Sequence, residues 1–177
     1  MSRGYRVMME PLQQAKAKAS GSDELCIQVS LLPVLGEDRM RELLQAALRE
    51  AGWQGSTGGA LTKSLGEGLQ ATLSPDGRNV SVVQTSTVEV TGSARTGAEA
   101  ERQAKENAAR AESSVKRQAT TTLAKAEADV RAALEDVIQR VYVSALQEKA
   151  RSMGELQSME RHEGSDGTVE VVLKVRV

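Results

Sequence analysis

The chain has 177 residues and a formal net charge of −1, with 27% charged and 40% apolar residues. This length suits one domain, or one domain with an extension. The near-zero net charge excludes a general nucleic-acid binder, because such proteins need a surplus of Lys and Arg to neutralise phosphates. The chain has no Phe, one Trp and two Tyr. Its core must therefore be built from Val, Leu and Ile.

The single cysteine, Cys26, excludes an internal disulfide. It stands in an alternating apolar segment, which predicts a small buried residue rather than a reactive thiol. The sequence shows neither a secretory signal nor an apolar stretch long enough to span a bilayer. We therefore expect a cytoplasmic protein without stable membrane insertion.

The first segments predict two strands with a polar connection. Residues 4–10 read as a short strand that Pro11 ends. The polar residues 12–22 predict a loop or a ragged helix, and residues 24–32 predict a second strand. One face of that second strand carries Leu25, Ile27, Val29 and Leu31.

A helix is predicted to begin at Gly36-Glu37-Asp38, because acidic residues in a first turn complement the helix dipole. Gly52 is placed to end this helix, and Trp53 is expected to fold back onto it as a core residue. The apolar stripe with helical spacing consists of Met40, Leu43, Leu44, Ala47 and Leu48.

The next region predicts a flexible turn and then a hairpin. Residues 54–60 are Gly-rich, but they lack the spacing and the Gly-Lys-Ser/Thr ending of a phosphate-binding loop. Residues 68–74 and 79–91 predict two strands, joined by a turn at Pro75-Asp76-Gly77.

From Ala98 to Met153 the sequence has neither Gly nor Pro, and alanine recurs throughout. Thr96 and Glu99 fit a capping box at the start of this segment, and Gly154 fits its end. Unbroken, this is one helix of about 56 residues, about 85 Å long. A break near Ser113-Ser114 or within Thr120–Thr122 is the alternative.

An apolar stripe runs along this helix with an average step of about 3.7 residues, which favours straight or slightly right-handed packing. The stripe consists of Ala104, Ala108, Ala111, Val115, Ala119, Thr122, Ala126, Val130, Ala133, Val137 and Val141. We expect the Val- and Leu-rich part, about 126–146, to lie on the sheet. The alanine-rich part, about 98–122, should then project or double back.

The alanine-rich part is also the predicted interaction site. Alanine allows close approach between helices, so we expect self-association through an assembly seam. The seam residues are Ala104, Ala108, Ala111, Val115 and Ala119. The alternative is a lone helical arm supported by helix propensity alone.

After the helix, residues 155–163 predict a strand, residues 164–167 a turn and residues 168–177 a final strand. His162, the only histidine, lies beside this turn and is expected to be an exposed structural residue. One His and one Cys cannot build a metal centre of the usual kind. No nucleophile elbow or nucleotide-binding motif is present. We therefore predict no catalytic residues, no metal and no cofactor.

The chain resembles a family of bacterial accessory domains. These are encoded with FtsH-type or MoxR-type AAA+ ATPases and von Willebrand A proteins, in so-called ternary systems. The segments that carry the resemblance are Ser2-Arg3-Gly4-Tyr5-Arg6-Val7, Leu31-Leu32-Pro33, Met40-Arg41-Glu42-Leu43-Leu44, Ala51-Gly52-Trp53, Pro75-Asp76-Gly77-Arg78 and the closing Val-rich strand. The resemblance implies a non-enzymatic module of an ATPase-linked conflict (defence) system, with an AAA+ ATPase or von Willebrand A protein as partner. It carries no catalytic residues to this chain.

The patterns together predict an α+β fold. A mostly antiparallel sheet of four to six strands packs with one short helix and one very long Ala-rich helix. Residues 1–93 and 154–177 form the sheet domain, and residues 94–153 form the long helix. The expected function is that of a scaffold or adaptor and homo-oligomer. The alternatives are a small-molecule-binding protein or hydrolase with a pocket between sheet and helix, for which Cys26 and His162 are the first residues to mutate, and a membrane-active helix.

Overall fold

The computed structural model describes residues 11–164 and 169–176. The predicted strand at 4–10, part of the predicted turn at 164–167 and the last residue, Val177, lie outside this range. The elements in chain order are β1 (Gln13–Gln28), α1 (Glu37–Glu50), β2 (Gln54–Gly55), a 3₁₀ turn (Thr57–Gly59), β3 (Leu61–Gly66), β4 (Leu69–Leu73), β5 (Asn79–Ala94), α2 (Gly97–Met153), β6 (Glu155–Glu163) and β7 (Val169–Arg176).

The strands form two sheets. The first is a five-stranded antiparallel sheet in the order β1-β5-β4-β3-β2, and β6 and β7 pair antiparallel in a sheet of their own. With one short and one long helix, this architecture confirms the predicted α+β class. The strands of residues 155–163 and 169–176 do not join the five-stranded sheet.

Contacts divide the chain into two compact units. Of the residues that the structure describes, unit 1 comprises 11–23 and 84–122, and unit 2 comprises 24–83, 123–164 and 169–176. Both units therefore take residues from β1, β5 and α2. This division differs from the predicted one, which follows the ends of the long helix and stays a prediction.

The loop or helix predicted at residues 12–22 is wrong, because residues 13–22 belong to β1. Exposure alternates along the strand: Ala15, Ala17 and Ala19 lie on its less exposed face, while Lys16 and Lys18 are exposed. The period is that of a strand. It escaped detection because alanine contributes little to an apolar signal.

Unit 1 packs by close approach of backbones. A Cβ atom built at Gly21 would lie 2.6 Å from the backbone nitrogen of Lys116 in α2. A Cβ at Gly92 would come within 3.0 Å of the backbone of Ala100 and of Ala104. Real Cβ atoms essentially never approach so closely, so glycine is required at both positions. The small buried cluster of this unit consists of Ala19, Ala108 and Val115, with Ala17, Val90 and Ala111 packed against it.

The long helix is one element from Gly97 to Met153, without the breaks considered at Ser113-Ser114 and Thr120–Thr122. The predicted cap is present, since the Thr96 hydroxyl accepts a hydrogen bond of 3.3 Å from the backbone N–H of Glu99. Two positions of the predicted stripe are wrong. Thr122 and Ala133 are exposed, and their neighbours Leu123 and Leu134 are buried instead. The helix advances by four residues at these points, so the larger apolar side chain of each pair faces inward.

Unit 2 holds the main hydrophobic core. Its largest fully buried side chains are Leu44, Leu48, Leu61, Leu73, Val80, Val82 and Val141. The predicted first helix is confirmed. Gly52, with φ of +88°, donates its N–H to Arg49, and Trp53 donates its N–H to Leu48. These two bonds form a Schellman motif, and Trp53 is buried as predicted.

Two polar contacts fasten helix α2 to the segment around α1. Arg39 of α1 donates to both carboxylate oxygens of Glu148, at 2.9–3.1 Å. This guanidinium holds the pKa of Glu148 below its usual range. The hydroxyl of Tyr142 accepts a hydrogen bond of 2.9 Å from the backbone N–H of Leu32, in the loop before α1.

The predicted hairpin around Pro75-Asp76-Gly77 is confirmed as β4 and β5. Strands β2 and β3 complete the sheet: β2 occupies the first two residues of the turn predicted at 54–60, and no predicted element covers β3. The expected burial of Cys26 is wrong, because its side chain is exposed. It lies on the face of β1 opposite the buried Ile27, and that face is open to solvent.

We predict that Gly92→Ala destabilises unit 1. The added methyl group must displace the backbone of α2, and overpacking of this kind costs about 1–3 kcal/mol. For a chain of this size we expect a Tm roughly 2–10 °C lower. Calorimetry and amide hydrogen exchange of residues 97–122 measure the effect.

Gly55→Ala is the matched control, since a Cβ there meets nothing within 4 Å and its φ is not positive. Equal Tm values for the two variants would contradict the close approach at Gly92.

Candidate functional site

The predicted assembly seam lies inside unit 1. Ala104, Ala108, Val115 and Ala119 are buried, and Ala111 is partly buried. The chain's own residues cover part of the seam, with Ala17 and Ala19 of β1 and Val90 of β5 in the same cluster. Self-association through the seam stays a prediction. It would require these strands to move away from α2.

Neither candidate for hydrolase chemistry stands in a catalytic arrangement. His162 is exposed on β6, with its Nε2 atom 3.9 Å from an oxygen of Glu160. Cys26 is exposed on β1. Over residues 11–164 and 169–176, no group of three or more His, Cys, Asp or Glu side chains is placed to hold a metal ion. Within the same ranges, no helix is long and apolar enough to cross a membrane.

Unit 2 contains a cleft with a volume of about 420 Å³. It lies between helix α2, over residues 126–140, and strands β3 and β4. Its apolar lining consists of Ala51, Trp53, Leu65, Leu69, Ala126, Val130, Ala133, Leu134 and Val137. The volume falls within the range of clefts that bind small ligands or single anchoring side chains.

The floor of the cleft is core, whereas its mouth is open. Trp53, Val130 and Val137 are buried and continue the hydrophobic core of unit 2. Leu65 of β3 and Ala133 of α2 are exposed. An apolar group bound here would therefore cover exposed apolar surface without disturbing the core.

Four charged residues surround the mouth. Lys63 donates a hydrogen bond of 2.7 Å from its Nζ atom to the carbonyl of Ala51, which follows α1. Asp136 and Arg140 form an ion pair along α2. Asp129, about two helical turns before Asp136, is exposed on the same lining. The rim thus carries both signs of charge around an apolar floor, an arrangement that orients a bound segment by its polar groups.

The chemistry of this rim favours binding. Among the described residues that line the cleft, none is a Ser, Cys or His. The charged groups nearest each other, Asp136 and Arg140, neutralise one another. The cleft can hold an apolar group and position its polar neighbours.

A second cavity of unit 2, of about 580 Å³, lies beside the start of α1. Its charged lining is engaged within the chain: Arg78 bonds Glu37 at 2.6 Å, and Arg41 pairs with Asp38. The Arg78 guanidinium lowers the pKa of the Glu37 carboxyl. Its lining also contains the apolar residues Val29, Leu31, Pro33 and Met40, but a larger share of it is polar than in the first cleft, so the first cleft suits an apolar group better.

A pocket between sheet and helix is one of the alternatives that the sequence predicts, but the sequence patterns did not identify the residues that line it. Trp53 was expected in the core, but Lys63 and Leu65 lie on β3, for which the pattern predicted no element. On the helix, the predicted buried stripe includes Ala133. In the structure its neighbour Leu134 faces the core instead, and Ala133 is therefore exposed at the mouth of the cleft. One signal in the sequence could have indicated the site. Leu65 is an apolar residue that stands between Ser64 and Gly66 in a polar segment.

The whole chain, residues 1–177, matches the family model described as FtsH ternary system domain X5. The chain therefore belongs to this family, as the resemblance of its motifs indicated. No curated protein and no solved structure matches it.

We predict that Ala108→Glu lowers the stability of unit 1 along with any self-association. Ala108 is 7% exposed and belongs to the small cluster of this unit, so the new carboxylate would be buried without a partner. A loss of about 2 kcal/mol or more is expected, measured by hydrogen exchange of residues 97–122. Ala109→Glu, at the exposed neighbouring position, is the control. An Ala108→Glu chain with unchanged exchange would show that the strands do not cover this alanine.

Proposed function

We propose that this protein is a non-enzymatic adaptor that docks an AAA+ ATPase, or a von Willebrand A protein, of an FtsH-linked system. Membership of the FtsH ternary system family carries the proposal. The name of the family links the chain to a system of several components. An accessory component needs a surface that recognises the others.

The face of α2 at residues 126–140, together with the cleft beside it, is the proposed docking surface. Part of the seam of unit 1 is covered by the chain's own strands, whereas Ala133 and Leu65 are exposed. A partner's apolar side chain can enter between them and contact Trp53, Val130 and Val137. Lys63 and Asp129 at the rim then meet opposite charges that flank this side chain.

Burial of one apolar anchor in such a pocket is typical of the few residues that dominate an interface. The charged rim sets orientation and on-rate rather than most of the affinity. The proposed adaptor therefore needs no large hydrophobic patch. This agrees with the small number of exposed large apolar side chains in the described residues.

The test is capture of the system's AAA+ ATPase by the full chain and by two variants. Ala133→Glu places a charge in the mouth of the cleft, and we expect capture to weaken by about tenfold or more. Ala132→Glu introduces the same residue at the exposed neighbouring position, about 100° around the helix, and should bind as the unmodified chain does. Calorimetric titration measures both. Equal binding by the two variants would exclude the cleft as the docking surface.

The cleft also favours a second candidate function, a small-molecule-binding protein. Its volume and apolar floor suit a compact apolar ligand. Native mass spectrometry of the purified full chain should then show a bound metabolite that Ala133→Trp excludes and Ala132→Trp retains. A chain that carries no adduct would argue against this candidate and leave docking of a protein as the function of the cleft.

A further inference from the structure

The β6–β7 ribbon contacts helix α2, where Gln147 donates a hydrogen bond of 2.8 Å to the sulfur of Met159. Its strands pair only with each other among the described residues. None of their side chains belongs to either buried cluster. Val171, Leu173 and Val175 are only half-buried on one face. A two-stranded ribbon by itself is marginally stable in water, so a further strand paired to its edge would stabilise it.

The outer edge of β7 is the better edge for such pairing. Along β6 the register shifts between Leu156 and Ser158, so Gln157 is an extra residue that interrupts the ladder. A bulge of this kind blunts an edge. Residues Val169–Leu173 of β7 pair one-to-one with β6 without a shift. The N–H and C=O groups that these residues direct away from β6 are therefore regularly spaced.

The charges of β7 are self-complementary about Val172. Glu170 and Lys174 lie two residues on either side of it and on the same face, because side chains alternate along a strand. Both are exposed, and Lys174 lies 3.5 Å from Glu160 across the ribbon with 64% of its side chain exposed. Val172 itself is 36% exposed, an apolar residue between two charged ones.

We propose that β7 pairs antiparallel with β7 of a second copy of this chain, about a two-fold axis at Val172. In this register Glu170 of one copy lies opposite Lys174 of the other, and the two Val172 side chains meet. On the opposite face, Val171 of one copy lies opposite Leu173 of the other. The two ribbons become one four-stranded sheet, in which Val171, Leu173 and Val175 of both copies lie side by side on one face of the β7 pair.

The pattern of charges selects this arrangement over its alternatives. In a parallel, in-register pair, Glu170 would face Glu170 and Lys174 would face Lys174, and like charges directly opposite each other destabilise a sheet. Antiparallel pairing turns both contacts into attractive ones. It also covers the exposed Val172 with its own counterpart. This contact is separate from docking at the cleft, since it uses no residue of the cleft lining.

The first test measures the oligomeric state of the full chain by light scattering over a concentration series. We expect a dimer. Glu170→Lys and Lys174→Glu should each raise the dimer Kd by about tenfold or more, because each variant faces two like-charged contacts in its own dimer. An equimolar mixture of the two variants should form a heterodimer about as tight as the original dimer, because every Lys then faces a Glu. A chain that is monomeric at all concentrations would overturn the proposal.

The second test locates the two-fold axis. In a Cys26→Ser chain, Val172→Cys should form an intermolecular disulfide on mild oxidation, since directly opposed Cα atoms lie about 4.5–5.5 Å apart. Lys174→Cys is the matched control. Its counterpart would lie four residues away along the strand, about 13 Å, beyond the reach of a disulfide. A dimer that cross-links equally at both positions, or that resists both charge reversals, would show that another surface holds it together.

Discussion

The close approach of helix α2 to β1 and β5 is the constraint on which unit 1 depends. Gly21 and Gly92 are positions where a single Cβ atom would strike the helix backbone. The facing helix residues must then be small as well, which accounts for the buried Ala100 and Ala104. The same contact therefore explains two features of the sequence. They are the high alanine content of the first half of α2 and the alternation of Ala and Lys along β1.

This constraint divides stability unevenly between the units. Alanine and glycine bury little apolar area per residue, so close packing in unit 1 contributes less hydrophobic free energy than the Leu and Val core of unit 2. Residues 97–122 are therefore expected at the low end of local stability, although they belong to the same helix as the core residues Val130 and Val141. Part of the seam is already in contact with strands of the same chain. Surfaces for other proteins are better sought in unit 2, where exposed apolar residues remain at the cleft and on β7.

The sequence allowed prediction of the elements with strong periodicity or clear capping. Helix α1, the hairpin at Pro75-Asp76-Gly77, the bounds of α2 and the last strand followed from such signals. The first half of β1 did not, because its inward residues are alanine and glycine. A pocket between sheet and helix was among the predicted alternatives, but its lining could not be predicted, since it depends on which of two neighbouring residues, Ala133 or Leu134, faces inward. That choice is made by tertiary packing, because the 3.6-residue period of a helix permits either.

The two proposed contacts of unit 2 have different physical requirements, and this bears on how an accessory component can work. The cleft offers an apolar floor continuous with the core and a rim of both charges, which suits one anchoring side chain of a different protein. The edge of β7 offers regularly spaced N–H and C=O groups. Its charges are complementary to those of an identical strand that runs antiparallel to it, because Glu170 then lies opposite Lys174. The cleft is lined by α1's end, β3, β4 and α2, whereas the edge belongs to β7, so neither contact uses the residues of the other. A chain that pairs through β7 would therefore present two clefts per dimer, and a partner that is itself an oligomer would bind such a pair more tightly than either cleft alone, provided that its sites can be reached simultaneously.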